Sequence, residues 1–156
     1  MQTIFKTLLV GAVLAIGSGT ALAADAVEGT WKLNLAKSTF SPGPAPKGQS
    51  RTYADSAQGM SVTVKTTAAD GKESTTTIVF KDDGKTYPVS GNPDFDAVSA
   101  KRVDALTLNS TQTKAGATVG TAVRTVSKDG KTLTFKQKGT HANGGKYEDV
   151  SVYDKQ

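Results

Sequence analysis

Short runs in which apolar and polar residues alternate follow one another along most of the chain. Residues 61–65 read Ser-Val-Thr-Val-Lys, and residues 75–80 place Thr76, Ile78 and Phe80 on one face. An alternation of period two is typical of a half-buried β-strand, and no sustained helical stripe interrupts it after the first 23 residues. The pattern predicts about eight to ten strands, at residues 28–35, 49–55, 60–67, 73–81, 85–90, 97–103, 105–113, 117–127, 131–139 and 146–154.

Turn signals separate these runs. Asp70-Gly71, Asp83-Gly84, Asp129-Gly130 and Asn143-Gly144 are each followed by lysine or by Gly-Lys. Such pairs supply the positive φ angles of tight hairpin loops. They predict an all-β fold, a single antiparallel meander that closes into a barrel, since closure removes exposed strand edges. A short helical turn at about residues 94–100 is the alternative to strand there.

Composition supports strands. Threonine occurs 22 times in 156 residues, and its β-branched side chain suits a pleated surface better than a helix. Residues 41–48 contain three of the five prolines. They are predicted to form a connection between the first strand and the rest, since proline is excluded from central strands.

The first 23 residues have the layout of a secretory signal peptide. Lys6 precedes an apolar run at residues 8–16, and Ala21-Leu22-Ala23 matches the small-x-small cleavage rule. The apolar run is too short to span a bilayer, which takes about 20 residues. We predict cleavage after Ala23, with a second matching site after Ala26. One β-barrel domain, residues 24–156, would then be periplasmic or secreted, without an integral membrane segment.

Charge and cysteine content exclude several classes of function. Without Lys6, 18 basic and 14 acidic residues remain. The basic residues are scattered and not arranged in a stripe with aromatic residues, so the sequence does not predict nucleic-acid binding. The chain has no cysteine and one histidine, which argues against a zinc site. We predict a monomer with no cofactor and no metal.

The sequence offers little catalytic chemistry. His141, the only histidine, lies in a predicted loop, and Asp94 and Asp96 follow a proline in another. We interpret all three as solvated loop residues, and we predict no catalytic residue. An isomerase or cyclase that works through tyrosine or aspartate in a deep pocket remains as an alternative.

Cations and tyrosines on strands are the candidate ligand-binding residues. Arg124 alternates with Ala122 and Val126, so it shares their face. An inward arginine would pair with a ligand carboxylate, or would contact an aromatic ring at one end of a barrel. Lys101, Arg102 and Arg51 are further cations beside strands, and a solvated, outward orientation is the alternative for each of these cations. The predicted ligand-binding residues are Arg124, Arg102, Tyr153, Tyr53 and Tyr87.

Two short segments resemble known families. Gly29-Thr30-Trp31-Lys32-Leu33 and Val152-Tyr153-Asp154-Lys155 are similar to the first and last strands of fatty-acid-binding proteins, and Gly-x-Trp occurs in lipocalins, so the chain resembles the calycin group. Residues 31–38 and 87–93 also resemble small exported lipocalin-like proteins of soil bacteria. The resemblance implies a barrel that Trp31 closes at one end, with an open mouth lined by turns.

The resemblance also shows one departure. Fatty-acid-binding proteins hold a carboxylate with Arg-x-Tyr in the last strand, where this chain has Ser151-Val152-Tyr153. The tyrosine is present and the arginine is not. We therefore predict an exported, non-enzymatic protein that holds a small apolar or amphipathic ligand, without naming the ligand. The alternative is a structural or interaction module of the cell envelope, its barrel filled by its own side chains.

Overall fold

The computed structural model describes residues 25–156; the predicted signal peptide and its cleavage after Ala23 lie outside the described residues. A short 3-10 helix, Leu35–Lys37, accompanies eleven strands. The strands are β1 Gly29–Leu33, β2 Thr39–Ser41, β3 Gly48–Ser56, β4 Gly59–Thr67, β5 Glu73–Phe80, β6 Asp83–Ser90, β7 Ala97–Arg102, β8 Thr107–Lys114, β9 Ala117–Val126, β10 Thr132–Thr140 and β11 Lys146–Lys155.

The sheet closes on itself. From β3 to β11 each strand pairs antiparallel with the next, β1 pairs with β3, and β11 returns to β1, with Trp31 opposite Lys155. β2 also pairs with β11, where Phe40 lies opposite Asp149, so it continues the line of β1 beyond the 3-10 helix. The predicted all-β, antiparallel barrel is confirmed, with ten strands around the ring.

The predicted strands agree with the observed ones to within about two residues at each end. The missed strand, β2, has three residues and directly precedes the proline-rich connection. The helical alternative at residues 94–100 is wrong, because β7 begins at Ala97 and turns Val98 and Ala100 inward. Before it, the Asn92 side chain accepts hydrogen bonds from the backbone N–H groups of Asp94 and Phe95, which makes a turn.

One end of the barrel is closed by residues 25–28 and by Trp31. The Trp31 side chain is fully buried, and its Nε1 donates to the carbonyl oxygen of Val27 over 2.6 Å. The cation near its ring is Lys155, whose Nζ lies 5.1 Å from the ring centroid. Arg124, the sequence candidate for a cation-π contact at this end, lies over Tyr53 instead.

Candidate functional site

The other end of the barrel opens into a cavity of about 780 Å³. Four connections form its mouth, residues 41–46, 68–70, 91–95 and 141–147, and six strands supply most of its wall. Inward positions of the strands line the interior because side chains two residues apart share a face. The apolar part of the wall consists of Val62, Val64, Ile78, Phe80, Val98 and Phe135.

Arg51 on β3 brings a cation into this wall. Its Nε donates to the Tyr153 hydroxyl over 3.0 Å and to Oε1 of Gln49 over 3.3 Å. The guanidinium carbon lies 4.2 Å from the centroid of the Phe135 ring. Within residues 25–156, no carboxylate oxygen lies within 4.0 Å of this guanidinium, and the hydrogen bonds of its Nε go to the Tyr153 hydroxyl and the Gln49 amide oxygen. Arg51 therefore presents an unneutralised charge beside apolar side chains.

The Tyr153 hydroxyl also holds the Gln49 side chain that contacts Arg51. It donates to Oε1 of Gln49, and the Gln49 amide donates in turn to the Thr66 hydroxyl over 2.7 Å. Tyr153 is fully buried. This chain of hydrogen bonds across β11, β3 and β4 holds Arg51 in one orientation, which is the property that a binding group needs.

Arg124 on β9 faces the barrel interior but does not line the cavity. It is 3% exposed, and its guanidinium carbon lies 5.3 Å from the centroid of the Tyr53 ring. Its Nε is buried without a hydrogen-bond partner within the described part of the chain. Burial lowers the pKa of Arg124, and the attraction of Tyr53 and Asp25 opposes that effect. Tyr53 separates this second cation from the cavity.

The structure brings together three of the five predicted ligand-binding residues. Tyr53 lines the cavity, and Tyr153 and Arg124 are buried beside it. The Tyr87 hydroxyl donates to Oδ2 of Asp83 over 3.0 Å, away from the cavity. Arg102 lies at the closed end, where it pairs with Asp25 and Asp82, because β7 reaches that end at its last residue.

The sequence marks Arg51 as a cation beside a strand, but Arg51 is not among the predicted ligand-binding residues; the outward orientation favoured for it is corrected. Arg51 and Tyr53 are two positions apart on one strand, so they lie on the same face of the sheet. Proposing an inward Tyr53 therefore required an inward Arg51. The cation that contacts Tyr153 is therefore Arg51 on β3, and not a residue at position 151 of β11. No sequence motif connects β3 with β11.

A second polar group lies at the mouth. His141 Nδ1 lies 2.8 Å from Oδ2 of Asp94, and the backbone N–H of Ala142 donates to Oδ1 of Asp94 over 2.8 Å. The His141 ring lies 4.5 Å from the ring of Tyr147, whose hydroxyl donates to Gln112 over 3.2 Å. Burial, with Asp94 and Asp149 nearby, raises the pKa of Tyr147 to about 12. His141 is an exposed loop residue, as the sequence predicts, and Asp94 is partly buried; their contact was not predicted, because it forms only when the fold brings the two loops together.

Residues 25–156 contain no group of three histidine, aspartate or glutamate side chains arranged to hold a metal ion. Within the same residues, none of the helical structure has the length and apolar character needed to cross a membrane.

Comparison with known proteins adds one structural likeness. No family model matches the sequence, and no curated protein matches it. Among solved structures, the zebrafish ileal bile acid-binding protein, crystallised with cholic acid, resembles the barrel with a TM-score of 0.47 and 11% sequence identity. The match covers 84% of this chain and 99% of that chain. At that identity and TM-score, the likeness says nothing about the ligand of this protein.

Proposed function

We propose that this protein binds a small amphipathic molecule inside the barrel, with an anionic group of the ligand at Arg51 and its apolar part against the cavity wall. The observation that carries the proposal is the unneutralised guanidinium of Arg51 in the wall of a 780 Å³ cavity. The proposal includes export to the periplasm or the medium, action as a monomer, and the absence of catalysis.

The physical reason lies in the cost of a partly buried charge. A cation removed from water without an opposite charge destabilises the folded state, whereas a carboxylate, sulfonate or phosphate in contact with a guanidinium compensates for that loss. Charge-assisted hydrogen bonds to arginine are among the strongest in proteins. Each Å² of apolar ligand surface placed against Val62, Val64 and Phe135 adds roughly 25 cal/mol.

The cavity also favours ligand binding over the alternative of a structural module. Such a module would fill its barrel with its own side chains, whereas the inward positions here alternate between large residues and small ones such as Ser110, Thr76 and Ser151. The space left is within the range of about 300–1,000 Å³ that small-molecule sites occupy.

The test uses 1-anilinonaphthalene-8-sulfonate, a fluorescent anionic amphiphile, as the probe. The wild-type protein is compared with Arg51→Met, which keeps an unbranched apolar side chain in place of the arginine stem and removes the charge. Lys65→Met is the matched control, because Lys65 is exposed on the outer face of β4 and loses the same charge. Loss of one charge-assisted contact should weaken probe binding about tenfold or more in Arg51→Met.

The control variant is expected to bind the probe within about twofold of the wild type. Equal binding by the wild type and Arg51→Met would overturn the role of Arg51. No saturable probe binding, together with no small molecule in native mass spectra of protein purified without delipidation, would overturn the binding function itself.

A further inference from the structure

We propose that the ligand is zwitterionic, with its anionic group at Arg51 and a protonated amine at Asp149 nearer the mouth. This inference rests on the proposed function, since it specifies the ligand of the same cavity. It comes from a second unneutralised charge in the cavity wall, of opposite sign to the first.

Three aspartates border the cavity, and two of them have partners. Asp70 forms an ion pair with Lys72, and Asp94 is bonded to His141. Asp149 has no cationic nitrogen within 4.0 Å in the part of the chain that the structure describes. Its contacts are neutral donors, the backbone N–H of Ser41 at 3.1 Å and the Gln137 amide at 3.4 Å.

Asp149 faces inward and is half-buried. It shares a face of β11 with Tyr147, Ser151 and Tyr153, all of them buried. Its outward neighbour Glu148 is exposed. A carboxylate oxygen has several acceptor directions, and a hydrogen bond from each of two neutral donors leaves others open toward the cavity. A ligand ammonium group can occupy them.

The two charges form no ion pair within 4.0 Å of one another, and the register of the sheet indicates their separation along the strand. Arg51 lies over Phe135, which is opposite Ser151, and touches Tyr153; Asp149 is opposite Gln137. The two sites are therefore two to four residues apart along β11, which corresponds to about 7–13 Å. The Phe135 ring lies beside this interval, opposite Ser151, so the expected ligand has a hydrocarbon spacer between its charged ends.

One further cation borders the mouth and does not change this assignment. Lys146 is exposed, and it makes no ion pair with Asp149. Deep in the cavity the fixed charge is positive, and at the level of Asp149 it is negative. A molecule with a single anionic end would pair with the positive charge of Arg51 and would leave Asp149 without a cation.

The test compares ω-amino carboxylates of about six to about ten carbons, whose ends span this separation, with unsubstituted carboxylates of the same lengths. Isothermal titration calorimetry measures both series on the wild type and on Asp149→Asn, whose amide oxygen still accepts from Ser41. Glu148→Gln is the matched control, because it removes the same charge from the outer face of the same strand. Circular dichroism establishes that each variant is folded.

For the amino compound of best-fitting length, we expect affinity to fall about fivefold in Asp149→Asn. The unsubstituted carboxylate should change by less than about twofold, as should both series in Glu148→Gln. Equal losses for both series in Asp149→Asn, or no loss for either, would overturn the zwitterionic ligand. Because the unsubstituted carboxylates report Arg51 alone, their failure to bind would instead count against the proposed function.

Discussion

Two glycines that face each other make room for Tyr147 at the mouth. Gly120 on β9 lies opposite Gly139 on β10, and the Tyr147 hydroxyl lies close to both of them. A Cβ atom on Gly139 would lie 2.5 Å from the carbonyl oxygen of Val119 and 2.9 Å from the Tyr147 hydroxyl. Neither glycine has a positive φ, so close approach, and not backbone conformation, requires glycine here.

The first prediction concerns this contact. Gly139→Ala forces backbone atoms apart, and it is expected to destabilise the protein by about 2 kcal/mol in urea unfolding. Gly48→Ala is the control, since a Cβ at Gly48 meets nothing within 4 Å, and its stability should be unchanged or slightly higher. Equal effects of the two substitutions would contradict the role of close packing.

At the scale of elements, residues 25–28 act as the lid of the closed end. The Asp25 carboxylate accepts a hydrogen bond from Arg102 of β7. Arg102 also donates to Oδ2 of Asp82, next to β6, at a distance of 2.5 Å. Val27 is fully buried against Trp31. The segment therefore joins β1 to strands on the opposite side of the ring, which no strand pairing does.

The carboxyl group of Asp25 in this lid makes the free energy of unfolding depend on pH. Burial raises the pKa of Asp25, whereas the backbone N–H of Val27 and the Arg102 guanidinium lower it, and the net shift is downward from 3.8. A carboxyl group with a lowered pKa in the folded state stabilises that state above its ordinary pKa. This stabilisation is lost as the pH falls through the folded value.

We therefore expect Asp25→Asn to be less stable than the wild type at pH 7, by about 1 kcal/mol in urea unfolding. The difference should shrink between about pH 5 and about pH 2 and then vanish. Asp55→Asn, an exposed position on β3, is the control. A difference between wild type and Asp25→Asn that stays constant with pH would exclude this ionisation as the cause.

At the scale of the whole molecule, the closed end and the cavity lie at opposite ends of one ring of strands. The closed end needs Asp25 in place, and the second matching cleavage site, after Ala26, would remove it. Cleavage after Ala23 leaves the lid intact, so the proposed export and the fold favour the same first residue, Ala24.

This gives a prediction for the full-length chain expressed in a Gram-negative host. Intact-mass measurement of the periplasmic and medium fractions should give the mass of residues 24–156. Replacing Ala21 and Ala23 by leucine removes the small residues of this site and leaves those of the second one, so the mass of residues 24–156 should disappear in favour of the unprocessed mass or that of residues 27–156. Full-length wild-type protein confined to the cytoplasm would contradict export.

Alternation of period two and the glycine turns were sufficient to predict the strands, because each depends on residues close together in the chain. The local pattern also predicted an antiparallel meander, since each hairpin pairs neighbours. It missed β2, which is three residues long and is held by pairing with β11, more than 100 residues away.

The site depends on contacts that no local pattern contains. Arg51 meets Tyr153 across 102 residues, and Asp94 meets His141 across 47. The sequence by itself determined which residues alternate, and so which share a face of each strand. Closure of the ring decided which face of each strand is the interior and at what depth each charged side chain lies. The reason is that the neighbours of a charged side chain come from strands far apart in the chain, so only the assembled barrel determines whether an opposite charge lies beside it.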